Sequence, residues 1–151
     1  MTASFAHTTD IYTEIYDCYK RSISLVASIA GVGYYMTLQP TPLLNGTNIL
    51  GLSSSDQRLV IALITVSYTH SSDDATVMNA ANTFFQGLSI LTTQYGVSRK
   101  FTYLNYALGP VQKPFHGYGE TNKAKLQAAS KKYDAGGLFQ HGVPGGFKLF
   151  V

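Results

Sequence analysis

Within four consecutive positions, Tyr103-Leu104-Asn105-Tyr106 brings together two phenols and a carboxamide. A phenol can pass a proton when its setting lowers its pKa, and a carboxamide can both donate to and accept from a polar substrate. Tyr103, Asn105 and Tyr106 are therefore candidates for acid–base or binding work, although such tyrosines can equally be packing residues. His116 follows in a segment holding Pro114, Gly117 and Gly119 and is a further candidate for contact with substrate. Other chemistry finds less to stand on. His7, His70 and His141 lack metal-ligand spacing. Asp73 and Asp74 read as helix-capping residues, and Gly145-Gly146 as backbone geometry. Cys18 lies in a helical pattern beside apolar residues, which suits a buried thiol better than a nucleophile. No Gly-x-Ser-x-Gly elbow is present.

The elements that would position these residues are legible from periodicity. Thr8, Thr9 and Asp10 offer N-cap chemistry, and Ile11, Ile15, Cys18, Ser22, Leu25, Val26 and Ile29 recur at helical spacing until Gly31 and Gly33. Tyr34 to Gln39 reads as a strand stopped by Pro40 and Pro42, residues 45–48 as a turn, and Ile49 to Leu52 as a short extended piece. Leu59 to Thr69 is the clearest strand, with Leu59, Ile61 and Leu63 on one face and Val60, Ala62, Ile64 and Val66 on the other. Apolar residues on both faces predict cover on both.

Ser72, Asp73 and Asp74 then open a helix whose stripe is Val77, Ala80, Ala81, Phe84, Leu88, Leu91 and Tyr95, ending at Gly96. Phe101 to Ala107 reads as extended and Glu120 to Tyr133 as a third helix, with Leu126 and Ala129 inward. Residues 135–151 read as an ordered, Gly-rich tail. The expectation is an α+β domain: a small antiparallel sheet packed with two longer helices, plus a short C-terminal helix and that tail.

Composition bounds the function classes. At 151 residues, 45% hydrophobic and 13% charged, the chain is long enough and apolar enough for one domain with a real core. So few charges leave apolar surface for a partner. The net charge of +3 comes with lysines late in the chain, on what reads as a solvated helix face. No base-stacking module accompanies them, so nucleic acid is not the expected partner. Residues 1–10 do not read as a signal peptide, and Ile23 to Met36 is too short to span a bilayer, so a cytoplasmic location is expected. Asn45-Gly46-Thr47 matches a glycosylation sequon, which carries little weight without a secretion signal.

A longer set of motifs points further. Tyr103-Leu104-Asn105-Tyr106-Ala107 is followed by Tyr118-Gly119 with Asn122 and Leu126, Lys132-Tyr133-Asp134, Leu138-Phe139-Gln140 and Pro144-Gly145-Gly146-Phe147-Lys148-Leu149. Gly46 to Leu52 and Asp73-Asp74 precede them. In this order they resemble the carboxy-terminal part of fungal berberine bridge enzyme-like, FAD-linked oxidoreductases. The resemblance implies that residues 1–100 are a remnant of a substrate-binding domain and 101–151 the C-terminal segment. It implies that Tyr106 matches a catalytic base, and that Tyr103 and Asn105 shape the flavin or substrate pocket. Leu108 stands where the family usually has an acidic residue, and Ala135 where it has proline. The family's flavin domain, its tethering His and Cys pair and a glycine-rich dinucleotide loop have no counterpart here, so binding of FAD by this chain alone is not expected.

Two functions follow. In one, the chain is a flavin-free enzyme of fungal specialised metabolism that cyclises or isomerises a reactive polyketide- or terpenoid-type small molecule, needing chiefly positioning and one hydrogen-bonding group. The starting Met favours this reading. In the other, it is a binding subunit or C-terminal part of an oxidoreductase completed by a separate flavin domain, the only route by which FAD would enter. A homodimer covering the second face of the central strand is also expected.

Overall fold

The computed structural model describes residues 1–42, 48–56, 58–109 and 111–150, without the side chain of Ser55. The sequon and most of the turn read at 45–48 lie outside them. Four strands, β1 (Thr2–Ala6), β2 (Gly33–Pro40), β3 (Leu59–Ser67) and β4 (Ser98–Arg99), form one sheet in the order β2-β3-β1-β4. Every neighbouring pair is antiparallel. β2 pairs with β3 from Gly33↔Ser67 to Pro40↔Val60, and β1 with β3 from Thr2↔Leu63 to Ala6↔Leu59. With helices α1 (Tyr12–Ser24) and α2 (Asp74–Gln94), the chain order is β-α-β-β-α-β, the split βαβ arrangement. The α+β class holds.

The two faces of β3 are covered by different parts of the chain. Val60, Ala62 and Ile64 face α1 and α2, where they pack with Phe5, Ile11, Ile15, Cys18, Val77, Phe84 and Leu88. On the opposite face Leu59 and Ile61 pack with Phe101 and Tyr118, flanked by Leu50, Leu52, Tyr103, Leu104, Tyr106, Phe115 and Leu126. The segment 101–126 is thus the cover that a strand apolar on both faces requires. It comes very close to its neighbours. A Cβ on Gly117 would lie 2.2 Å from the Lys100 carbonyl oxygen, and one on Gly51 2.4 Å from that of Tyr118. Gly51 also holds φ at +75°, the left-handed region that suits glycine.

Several local expectations are corrected. The first element is β1, which sequence reading did not find: among Thr2, Ala3, Ser4, Phe5 and Ala6 only Phe5 is large and apolar. Its strand state comes from pairing with β3 on one side and β4 on the other. α1 stops at Ser24, and residues 25–30 continue as tight turns that leave Leu25 exposed while Val26 stays buried. Ile49 to Leu52 is a bend, because the Asn48 side chain accepts from the Leu50 and Leu52 amides and donates to the Leu52 carbonyl.

Phe101 to Ala107 is not a strand. It is irregular chain with a 3-10 turn at Leu104–Tyr106, in which the Tyr106 and Ala107 amides bond to the Tyr103 and Leu104 carbonyls. The Gln112 carboxamide meets the Thr2 backbone, accepting from its N–H at 3.0 Å and donating to its carbonyl at 2.6 Å, as a neighbouring strand would. A one-turn α3 (Pro114–Gly117) leads into α4 (Glu120–Tyr133), whose Leu126 is half-buried while Ala129 is exposed. The tail begins with a wide turn at Leu138–Gly142, where the Asp134 carboxylate accepts from the Leu138 and Phe139 amides. Among the described residues no helix is long and apolar enough to cross a membrane.

Candidate functional site

Alternation along β2 sends Tyr34, Met36 and Leu38 to the helical layer and Tyr35, Thr37 and Gln39 to the opposite face. The 3-10 turn at Leu104–Tyr106 meets that face at Gln39. The Tyr106 hydroxyl donates to Gln39 Oε1 at 3.0 Å. The Asn105 amide nitrogen donates to the Tyr103 hydroxyl at 2.9 Å, and the Tyr103 and Tyr106 rings meet edge to face with centroids 4.9 Å apart. Beneath them the stacked Phe101 and Tyr118 rings and the side chains of Leu59 and Ile61 form a dry floor. Burial pushes the Tyr118 hydroxyl above its ordinary pKa, which keeps it neutral.

Three of the four sequence-derived candidates therefore share one site. The arrangement presents two phenol oxygens and two carboxamides beside a half-face on which Tyr35, Thr37, Gln39 and Thr65 are exposed. It can bind and orient a flat polar molecule and relay a proton through Tyr106, but it leaves the molecule's far side open to solvent. Gln39 escaped sequence reading. Its only signal is the polar alternation Tyr35, Thr37, Gln39, which marks a face left without apolar cover.

His116 is elsewhere. It sits exposed on α3 and lines a cavity of about 240 Å³ with Gln112, Lys113, Pro114, Phe115, Lys123, Phe147 and Lys148; Tyr103, Asn105 and Tyr106 are not in its wall. A second cavity, of about 410 Å³, opens where β1 ends and β3 begins; there His7 Nδ1 and the Tyr12 hydroxyl lie 2.7 Å apart beside Arg58. Sequence reading gave Tyr12 and Arg58 no role. No three His, Cys, Asp or Glu side chains group as metal ligands among the described residues. The flavin that the resemblance implies can be tested against the open half-face. Tyr35, Tyr103 and Tyr106 suit one side of an aromatic ring, but Tyr35, Thr37, Gln39, Thr65, Tyr103, Asn105 and Tyr106 include no cation for a pyrophosphate. The half-face does not fit the whole cofactor.

The chain is similar to fungal proteins named for FAD-dependent chemistry. It is 34% identical over 150 residues to the FAD-dependent monooxygenase drtC of Aspergillus calidoustus, a match covering 95% of this chain and 28% of that protein. It is 30% identical to the FAD-dependent monooxygenase CTB5 of Cercospora beticola, over 97% of this chain and 29% of that protein. To the bifunctional solanapyrone synthase of Alternaria solani it is 33% identical, over 69% of this chain and 20% of that protein. The chain thus spans less than a third of the length of each of these relatives. No family model matches it, and no solved structure does.

Proposed function

We propose that this chain supplies the substrate-side half of a berberine-bridge-type, flavin-dependent oxidoreductase acting on a small molecule of fungal specialised metabolism. The observation that carries the reading is the Tyr103–Asn105–Tyr106–Gln39 cluster on a half-face that is ordered beneath and open above. The similarity to longer proteins named FAD-dependent monooxygenases supports the same reading. In this role the flavin is held by a separate flavin-bearing segment or domain and supplies the redox chemistry.

The chain's own residues bind and orient. Asn105 fixes the direction of the Tyr103 hydroxyl, which keeps its proton to offer to a substrate oxygen. Gln39 holds the Tyr106 hydroxyl in place by accepting a hydrogen bond from it, while the phenol oxygen stays able to accept a hydrogen bond from a donor above it. His116 lies outside this site and has no part in the proposed proton transfer. In isolation the same open half-face is where two copies would pair as a homodimer.

The test is co-expression with the flavin-bearing region of the Aspergillus calidoustus relative, followed by assays with candidate pathway intermediates. The expected result is flavin absorbance and turnover only when both parts are present. Tyr106→Phe should then lower turnover by a factor of about 100 while leaving the complex assembled, since it removes only the hydroxyl. Turnover by the colourless chain alone would overturn this reading in favour of a flavin-free cyclase or isomerase, for which the hydroxyl and amide donors of the cluster would suffice.

A further inference from the structure

We infer that the cavity between α3, the start of α4 and the tail is a binding site for a small aromatic carboxylate, separate from the Tyr106 face. Its wall combines three lysines, Lys113, Lys123 and Lys148, with His116, and no carboxylate lines it among the described residues. Its apolar part is Pro114, which is buried, with the half-buried rings of Phe115 and Phe147. Cations beside apolar walls select a ligand that is anionic at one end and flat and apolar at the other.

The cationic end is built rather than incidental. Lys148 Nζ donates to the Phe139 carbonyl at 2.9 Å and to the Val143 carbonyl at 2.7 Å, so the tail fixes its position. An ammonium has three donors, so these two bonds do not exhaust it. Gln112, at the other side, is fixed by its two bonds to the Thr2 backbone. The volume, about 240 Å³, suits a single ring bearing one carboxylate. Without an arginine in the wall there is no fork for bidentate capture of a larger phosphate group.

The probe is benzoate, with benzamide as its neutral counterpart of nearly equal shape, titrated into the full chain and followed by amide and imidazole NMR shifts. Benzoate should shift His116, Phe115 and Phe147 signals and leave those of Tyr103 and Asn105 in place. Benzamide should bind at least about tenfold more weakly, because it cannot make charge-assisted bonds to the lysines. Lys113→Gln combined with His116→Gln should weaken benzoate by about tenfold or more and leave benzamide unchanged. Equal binding of the two probes, shifts confined to other parts of the chain, or no saturation below about 10 mM benzoate, where binding is weaker than about 3 kcal/mol, would each overturn the inference. Because the Tyr106 face is not involved, either result leaves the proposed function to its own test.

Discussion

Two tyrosines show how differently the same side chain is used here. Tyr106 keeps its ring against the second cluster and its hydroxyl at the surface, with Gln39 as acceptor. Tyr34 is 4% exposed in the first cluster, and among the described residues its hydroxyl makes no hydrogen bond; the Ser22 hydroxyl lies beside it but donates to the Tyr19 carbonyl. A buried hydroxyl that gives up water without gaining a partner opposes folding. Tyr34→Phe should therefore raise the free energy of unfolding by about 1 kcal/mol. Urea denaturation checks it, and a loss of stability would show that the hydroxyl has a partner in solution. The ring itself should matter, since it packs against Tyr19 with centroids 5.9 Å apart.

At the scale of elements, the second face depends on how closely α3 can approach the chain before it. Gly117→Ala would place a methyl 2.2 Å from the Lys100 carbonyl oxygen, which is backbone and cannot swing aside. α3 would have to lift, and with it Phe115 and Tyr118, so a cost of about 1–3 kcal/mol is expected. Among the described residues a methyl at Gly109 meets the Phe147 ring at 3.8 Å, an ordinary contact, so Gly109→Ala should change stability by less than about 0.5 kcal/mol. Thermal unfolding of the two variants side by side gives the comparison. Elements of this size also show what a sequence can and cannot reveal. β3 and α2 were readable because each carries its own apolar pattern. β1 and β4 were not, since their residues become strands there through distant partners. The site divides in the same way. Tyr103, Asn105 and Tyr106 are neighbours in the chain and share one turn, whereas Gln39 reaches them through the alternation of β2, and His116 is carried off by a one-turn helix.

For the whole molecule the question is whether the helical layer and the 101–126 cover unfold as one unit. Burial raises the pKa of Tyr12, Tyr19 and Tyr34, which pack in the first cluster, and of Tyr118, which packs in the second. In the unfolded chain each ionises near its ordinary value of 10.0, so above that pH the unfolded state holds fewer protons than the folded one. Stability contributed by these groups is thus complete below pH 10 and falls as the pH rises through the folded values. Base should unfold the protein, with ionisation of the buried tyrosines and loss of helical circular dichroism occurring together if both clusters belong to one cooperative unit. Tyr118→Phe removes the one titrating group of this set on the second face and should shift that single transition to higher pH. If the buried tyrosines ionise in two steps, and the earlier one disappears in Tyr118→Phe, the cover has peeled from the sheet before the rest. The Tyr106 site would then be lost ahead of the fold, because its floor is the Phe101–Tyr118 stack.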